Sequence, residues 1–412
     1  MKILLSAYAC EPNKGSEPEV GWKWATELSK SNNEVYVITR LNNKKNIEKE
    51  IKKSNFKNLN FIYFDFPKWF LKIFKGKQNK FSYFYFYIWQ IAIYFVAKKI
   101  IQKIKFDYIH HVTFVSYRIP SFLCFLNIPF IFGPVAGGEE IPSNLITNFD
   151  FKSKLKEYLR FLNNKFVNYS PILNMVFNKS IKIITTSNET KLKIPKKFHI
   201  KTSVELAIAP DDKNLVQDKN LVQDKYFLDK PIDIFNICFV GVFEHRKGIN
   251  IILEILKKFK GNDIKFFFNF YGDGPLKKYM QEFILKENLM NNVKLHGVIP
   301  QKDITKEMKK NHIFLFPSLR DSGGFVLFEA MSVGLPSLIL KLGGPANIIN
   351  NNCGIIIDTK NKDEKNLIDE IYNNLTNLIQ DNYKLKKLSN NCYSRLKLFS
   401  WKSKIKKIYG KL

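Results

Sequence analysis

The stretch SLRDSGGFVLFEAMSVGLP, residues 318–336, sets two carboxylates, Asp321 and Glu329, on either side of a glycine pair and a short apolar run. The spacing of Phe325, Leu327, Phe328 and Met331 predicts a helix that opens near Gly324, packs these side chains inward and stops at Gly334 and Pro336. Eight residues along such a helix span about 12 Å, so the two acids are too far apart to share a metal ion and suit two ends of one extended ligand. Unpaired N–H groups and the positive dipole end at the helix start favour an anion, and Gly323 and Gly324 let it approach the backbone closely. Side chains lean toward the amino end of their helix, which aims Glu329 back at the same place. Carboxylates accept paired hydrogen bonds from vicinal hydroxyls, which ribose and hexose both carry. The expected ligand is therefore a nucleotide diphosphate sugar, with Asp321 toward the sugar, Gly323 and Gly324 toward the phosphates and Glu329 toward the ribose.

A second element bears on the same ligand. FVGVFEHRKGINIILEIL, residues 239–256, reads as a strand, a turn carrying Arg246, Lys247 and Gly248, and a helix. Cations at the carboxyl end of a strand neutralise a departing diphosphate, although in a chain so rich in lysine the pair alone reads equally well as a solvated turn. No metal is expected. No Asp-x-Asp pair is placed to bridge a diphosphate, and the five cysteines (Cys10, Cys124, Cys238, Cys353, Cys392) form no C-x-x-C pair and have no histidine at ligand spacing. Scattered free thiols point to a reducing, cytoplasmic setting, and the opening MKILLSAYAC reads as a first buried strand rather than a leader.

The elements that must carry these groups form two series. KILLSAYA, EVYVIT, FIYFDF, FDYIHHVT, PFIFGPV and IKIITTS alternate with helical patterns such as VGWKWATELSK, and FNICFVGVF, IKFFFNFYGDG, VKLHGVI, HIFLFPS, PSLILK and CGIIID repeat the pattern further on. Short runs buried on both faces, alternating with helices, indicate parallel sheets covered by helices. Between the series KNLVQD occurs twice in tandem, a duplication that an exposed connector tolerates and a core does not. The expected division is an acceptor-side α/β domain over 1–205, a linker over 206–231, a donor-side α/β domain over 232–390 and a closing helix over 391–412 with Trp401 on its apolar side, able to pack back on the first domain. Two doubly wound, Rossmann-like halves of this kind face each other across a cleft and bind ligands at the carboxyl ends of their strands.

The chain resembles glycosyltransferase family 4, retaining enzymes of the GT-B fold, through GSEPEVGWKWATEL, FVGVFEHRKG, FYGDGPL, VKLHGVIPQKDI, PSLRDSGGFVLFEAMSVGLP and LGGP. PFIFGPVAGGEEIP and HHVTFVSYRIP further resemble the branch that builds bacterial surface polysaccharide and lipopolysaccharide. Carried over residue by residue, the resemblance implies that Asp321 contacts donor-sugar hydroxyls, Glu329 the ribose and Lys247 the diphosphate. Gly323, Gly324, Phe325 and Val326 would line the donor, and the loop of Gly15 and Ser16 would lie beside donor and acceptor. A histidine near the reacting sugar matches His110 or His111, of which His111 is favoured for the chemistry and His110 for binding, and a buried, hydrogen-bonded strand-end histidine is an equal reading for both. The sequence departs from the family at Val242, where an arginine is usual and for which Arg246 would compensate, at Asp321 where glutamate is commoner, and at Asn347. The implied reaction needs no cofactor beyond the nucleotide diphosphate sugar. It transfers a hexose-type sugar to a glycan or lipid-linked acceptor.

The net charge of +29, from 66 basic and 37 acidic residues, suggests an anionic partner. Only six of the 66 basic residues are arginine, which argues against nucleic acid, where arginine stripes with exposed aromatics are expected. A peripheral contact with anionic membrane fits better. PKWFLKIFKGKQNKF, residues 67–81, interleaves lysine with Trp69, Phe70, Leu71 and Phe74, a mixture suited to a membrane interface, and residues 81–97 are almost wholly apolar, reading as a buried helix or a short spanning one. A basic protein that binds nucleic acid or membrane without catalysis, and a sugar phosphorylase, are the rival readings.

Overall fold

The computed structural model describes residues 1–54, 56–70, 78–210 and 233–410. They divide into two units. Unit 1 takes Met1–Gly138, Phe161–Ile208 and Ile405–Leu412, and unit 2 takes Glu139–Arg160 and Ala209–Lys404.

Unit 1 is built on a seven-stranded sheet of β1 (Lys2–Ala7), β2 (Glu34–Thr39), β3 (Leu59–Tyr63), β4 (Tyr108–Thr113), β5 (Phe130–Val135), β6 (Ser180–Thr185) and β7 (Thr202–Val204), in the order β3-β2-β1-β4-β5-β6-β7. Unit 2 carries six strands, β8 (Phe235–Val240), β9 (Phe266–Tyr271), β10 (Val293–Gly297), β11 (Ile313–Phe316), β12 (Ser337–Leu340) and β13 (Gly354–Ile357), in the order β10-β9-β8-β11-β12-β13. Every recorded strand pairing is parallel. The central strands are apolar at nearly every position because helices cover both faces, which is why they read as continuous runs. Ile3, Leu4 and Leu5 of β1 and Ile313, Phe314 and Leu315 of β11 are fully buried. In each sheet the strand order reverses once, between β1 and β4 and between β8 and β11, and loops leaving adjacent strands there diverge and leave room for a ligand.

The helix Gln78–Ile101 shows the same economy. Phe86, Trp89, Ile93 and Ala97, spaced at helical intervals, are fully buried in the unit 1 core. Phe84, Ile91 and Phe95 form a second, exposed apolar row. By length and composition the helix is able to cross a membrane, yet one face of it is core.

Residues 139–160 differ from the expected division, which placed all of 1–205 in one domain. They group with unit 2 because their polar side chains find partners there: Asn144 donates to the Lys362 carbonyl, Asn148 to Glu364 (2.9 Å), Phe149 stacks on His245 (4.8 Å between ring centres) and Glu157 pairs with Arg320 (2.7 Å). The closing helix Trp401–Tyr409 straddles the division, with Ile405 onward in unit 1. The duplicated KNLVQD and most of the expected linker, like Leu71 and Phe74, lie outside the described residues.

Candidate functional site

At the reversal in unit 2, three loops meet. The first leaves β8 and makes the turn His245–Lys247, ending on Gly248, whose φ of 75° is left-handed and whose added Cβ would fall 2.1 Å from the Pro317 carbonyl oxygen. Only glycine lets the first loop pack this tightly on the second, which follows β11. The Arg246 carbonyl then accepts from Leu319 N–H (2.9 Å), Arg320 N–H (3.3 Å) and the Ser318 hydroxyl (3.2 Å). The third loop follows β12, where Gly344 N–H donates to the Asp321 carbonyl (2.9 Å).

These joints bring together residues 74 positions apart. Lys247 reaches Asp321 with its ammonium and lies 4.9 Å from the centre of the Phe316 ring. One Asp321 oxygen holds Lys247, and the other accepts from the N–H groups of Gly323 (3.0 Å) and Gly324 (3.1 Å). Burial would raise the Asp321 carboxyl, but the Lys247 charge and the two N–H groups outweigh it and hold the group below its usual range. The glycine N–H groups that the sequence offers to phosphate are thus already satisfied by Asp321.

The helix that follows, Val326–Ser332, buries Leu327, Phe328 and Met331, while Phe325 and Val326 remain partly exposed at its mouth. Phe325 departs from the inward packing expected of it, because it precedes the helix and its ring lies against Gly323, 2.9 Å from where a Cβ would stand. Burial pushes the Glu329 carboxyl up to about 7, against the hydrogen bond it accepts from Gln301 (3.3 Å), and no ion pair to it is recorded among the described residues.

Arg246 and Lys247 part company. Arg246 pairs with Glu244 rather than with Asp321 and lines a cavity of about 220 Å³ together with Arg320 and Glu157. Val242, where the resemblance expected arginine, is 45% exposed.

In unit 1, Gly15 precedes the helix Ser16–Lys30 with a φ of 66°, and Ser16 itself sits at 51°. The loop is pinned to the segment after β4 by Glu17, whose carboxylate accepts from Val115 N–H. Burial pushes this carboxyl up to about 7 despite that bond. Sequence reading passed over Glu17, although its place beside the glycine in GSEPE was a usable signal.

The two histidines of β4 differ. His110 is enclosed. Its Nε2 faces the Gly133 carbonyl, which only accepts, so Nε2 carries the proton and Nδ1 accepts from the Tyr409 hydroxyl (2.6 Å). Burial drives its pKa down to about 3, and the ring is neutral. His111 is also buried, with its pKa pushed down to about 4, but it has only a long bond to the Phe114 carbonyl (3.5 Å), and its Nδ1 has no hydrogen-bond partner. Among the described residues no group of three or more His, Cys, Asp or Glu stands together as a metal site.

Residues 225–395 match the family model described as glycosyl transferases group 1. Over 144 residues the chain is 32% identical to the 2-deoxystreptamine N-acetyl-D-glucosaminyltransferase of Niallia circulans, covering 34% of this chain and 36% of that protein. The matched stretches span less than half the length of the first curated relatives. Among solved structures, the apo lipopolysaccharide outer core galactosyltransferase WaaB aligns over 100% of both chains with a TM-score of 0.61 at 13% identity. Anabaena HepE in complex with UDP-glucose aligns over 100% of both with a TM-score of 0.62 at 14% identity. The fold is that of the GT-B glycosyltransferases.

Proposed function

We propose that this chain is a retaining, metal-independent glycosyltransferase that moves a hexose-type sugar from a nucleotide diphosphate sugar onto a glycan or lipid-linked acceptor in bacterial surface polysaccharide synthesis. The observation that carries the reading is the Lys247–Asp321–Gly323/Gly324 cluster at the strand reversal of unit 2. An incoming diphosphate competes with Asp321 for Lys247 and for the glycine N–H groups. Exchange of partners leaves the diphosphate partly neutralised and the Asp321 carboxylate free to accept from sugar hydroxyls. Glu329, ionised, accepts from the ribose diol. As the glycosidic bond loosens, negative charge builds on the leaving diphosphate, and Lys247 and the two N–H groups stabilise it. Among the described residues no side chain stands out as a covalent nucleophile, so the acceptor attacks from the face the diphosphate leaves. The family match and the relative from Niallia support sugar transfer, and the HepE complex makes UDP-sugars the first donors to try.

Thermal unfolding in the presence of UDP-, GDP- and ADP-sugars tests the donor. One series raises the melting temperature, since a ligand at a hundred times its Kd adds about 2.7 kcal/mol to stability, and neither the rise nor turnover changes with EDTA. A melting temperature indifferent to all three sugars would end the assignment.

The working place we propose is the cytoplasmic face of an anionic membrane. The support is the exposed row of Phe84, Ile91 and Phe95, followed by exposed Lys98 and Lys99, with Trp69 67% exposed nearby in sequence. The protein should co-sediment with vesicles rich in phosphatidylglycerol, less so as salt rises, and not with neutral ones. Equal recovery in the supernatant from both removes this part of the proposal.

A further inference from the structure

The cavity beside Arg246 is not absorbed by the donor site. Its walls lie wholly within unit 2: the segment that caps and opens the helix Phe151–Phe166 on one side, the 244–246 turn and Arg320 on the other. Neither Lys247 nor Asp321 lines it.

Its chemistry is paired. Arg246 carries Glu244 as partner, and Arg320 carries Glu157 at 2.7 Å. At either guanidinium an added anion would have to displace a seated carboxylate, and Asp150, which lines the space as well, offsets the charge of Lys156. A hydroxyl displaces nothing: it donates to a free carboxylate lone pair and accepts from a remaining guanidinium N–H, of which each arginine has five. Among the polar atoms of the lining residues, Arg320 Nε and His245 Nδ1 have no hydrogen-bond partner within the protein. Burial pushes the His245 imidazole down, against the pull of Asp150, so the ring itself adds no positive charge to the lining at neutral pH.

The other surfaces are carbon. Phe149, Pro275 and Leu276 line the same space. A ligand with a hydroxyl rim and an apolar ring face matches both, and about 220 Å³ is below the roughly 300 Å³ at which drug-sized pockets begin, which suits a single ring. We propose that this cavity is a saccharide subsite that holds one uncharged pyranose unit of the glycan acceptor, apart from the donor sugar. The proposal rests on the glycosyltransferase reading above. It adds a reason for Arg246 to differ from Lys247: one steers the acceptor, the other the diphosphate.

The test uses the full chain with methyl glycosides of glucose, galactose, mannose and N-acetylglucosamine as probes, read by amide hydrogen exchange. At least one probe slows exchange in 149–157 and 244–246 with a Kd on the order of 1 mM, with or without UDP present. Ser153→Trp, which fills the cavity, weakens that probe by about tenfold or more, while the donor-induced rise in melting temperature is kept. The subsite is overturned if no glycoside protects these segments, if inorganic phosphate protects them and the glycosides do not, or if Ser153→Trp binds the probe as the wild type does. In each of those cases an intact donor-induced rise leaves the transferase reading standing, and its loss takes that reading down separately.

Discussion

Lys247→Ala lowers kcat by about 10²–10³-fold, the loss typical of removing one preorganised charge from a developing anion, with a smaller change in KM. The same substitution weakens the fold, because it leaves the buried Asp321 carboxylate with two backbone N–H donors and no countercharge. Breaking one side of a buried pair costs about 3 kcal/mol. The two effects separate in the double variant Lys247→Ala, Asp321→Asn, in which no charge is stranded. Chemical denaturation should show most of the lost stability restored there, while turnover stays down. Wild-type kcat in the folded single variant would remove Lys247 from the chemistry. In the wild type the contribution of Asp321 to stability is present at neutral pH and is lost as pH falls through and below the ordinary aspartate range, because its folded pKa lies beneath its unfolded one.

Glu329→Gln separates binding from stability in the opposite sense. The folded protein holds the Glu329 proton more tightly than the unfolded chain does, with a pKa near 7 against an ordinary 4.5. Stability therefore falls as pH rises between those values, and the full cost of the buried charge is present above 7. The glutamine variant should be more stable than the wild type at pH 8, by about 1–2 kcal/mol, and no more stable at pH 4. Donor binding moves the other way. Wild-type affinity rises with pH through 7 as the carboxylate forms, whereas the variant binds about 10–100-fold more weakly at pH 8, having lost the charge-assisted acceptor of a diol, and shows no such pH dependence. Calorimetric titration with the donor at pH 6 and 8 measures both, and an unchanged affinity at pH 8 would release Glu329 from the ribose.

Much of this was legible before any coordinates. β8 and β11 read as strands because both faces of each are covered, so apolarity runs unbroken, and the glycine pair after β11 announced a close backbone approach. That the turn of Lys247 and the glycine pair bear on one ligand was an expectation from the sequence, whereas the pairing of Lys247 with Asp321 was not foreseen. What the glycines bind was less legible, because Asp321 caps its own turn, a local bond that spacing does not distinguish from an open anion site. His110 and His111 are adjacent letters on opposite faces of β4, and only the partners on each face tell them apart. The Glu157–Arg320 pair had no signal at all, being 163 residues apart and composed of the commonest kind of surface residue.

Unit 1 owns three separate lengths of chain and unit 2 owns two, so the backbone passes from one to the other four times. Tyr409, three residues from the carboxyl terminus, closes over His110, and Glu157 belongs with Arg320. Exchange of the two halves between relatives by a single crossover in the 206–231 region would therefore sever both relationships. A viable chimera must carry 139–160 with unit 2 and residues 405–410 with unit 1, so descent by a single exchange of sequence halves is harder for this protein than the order of its two strand series suggests.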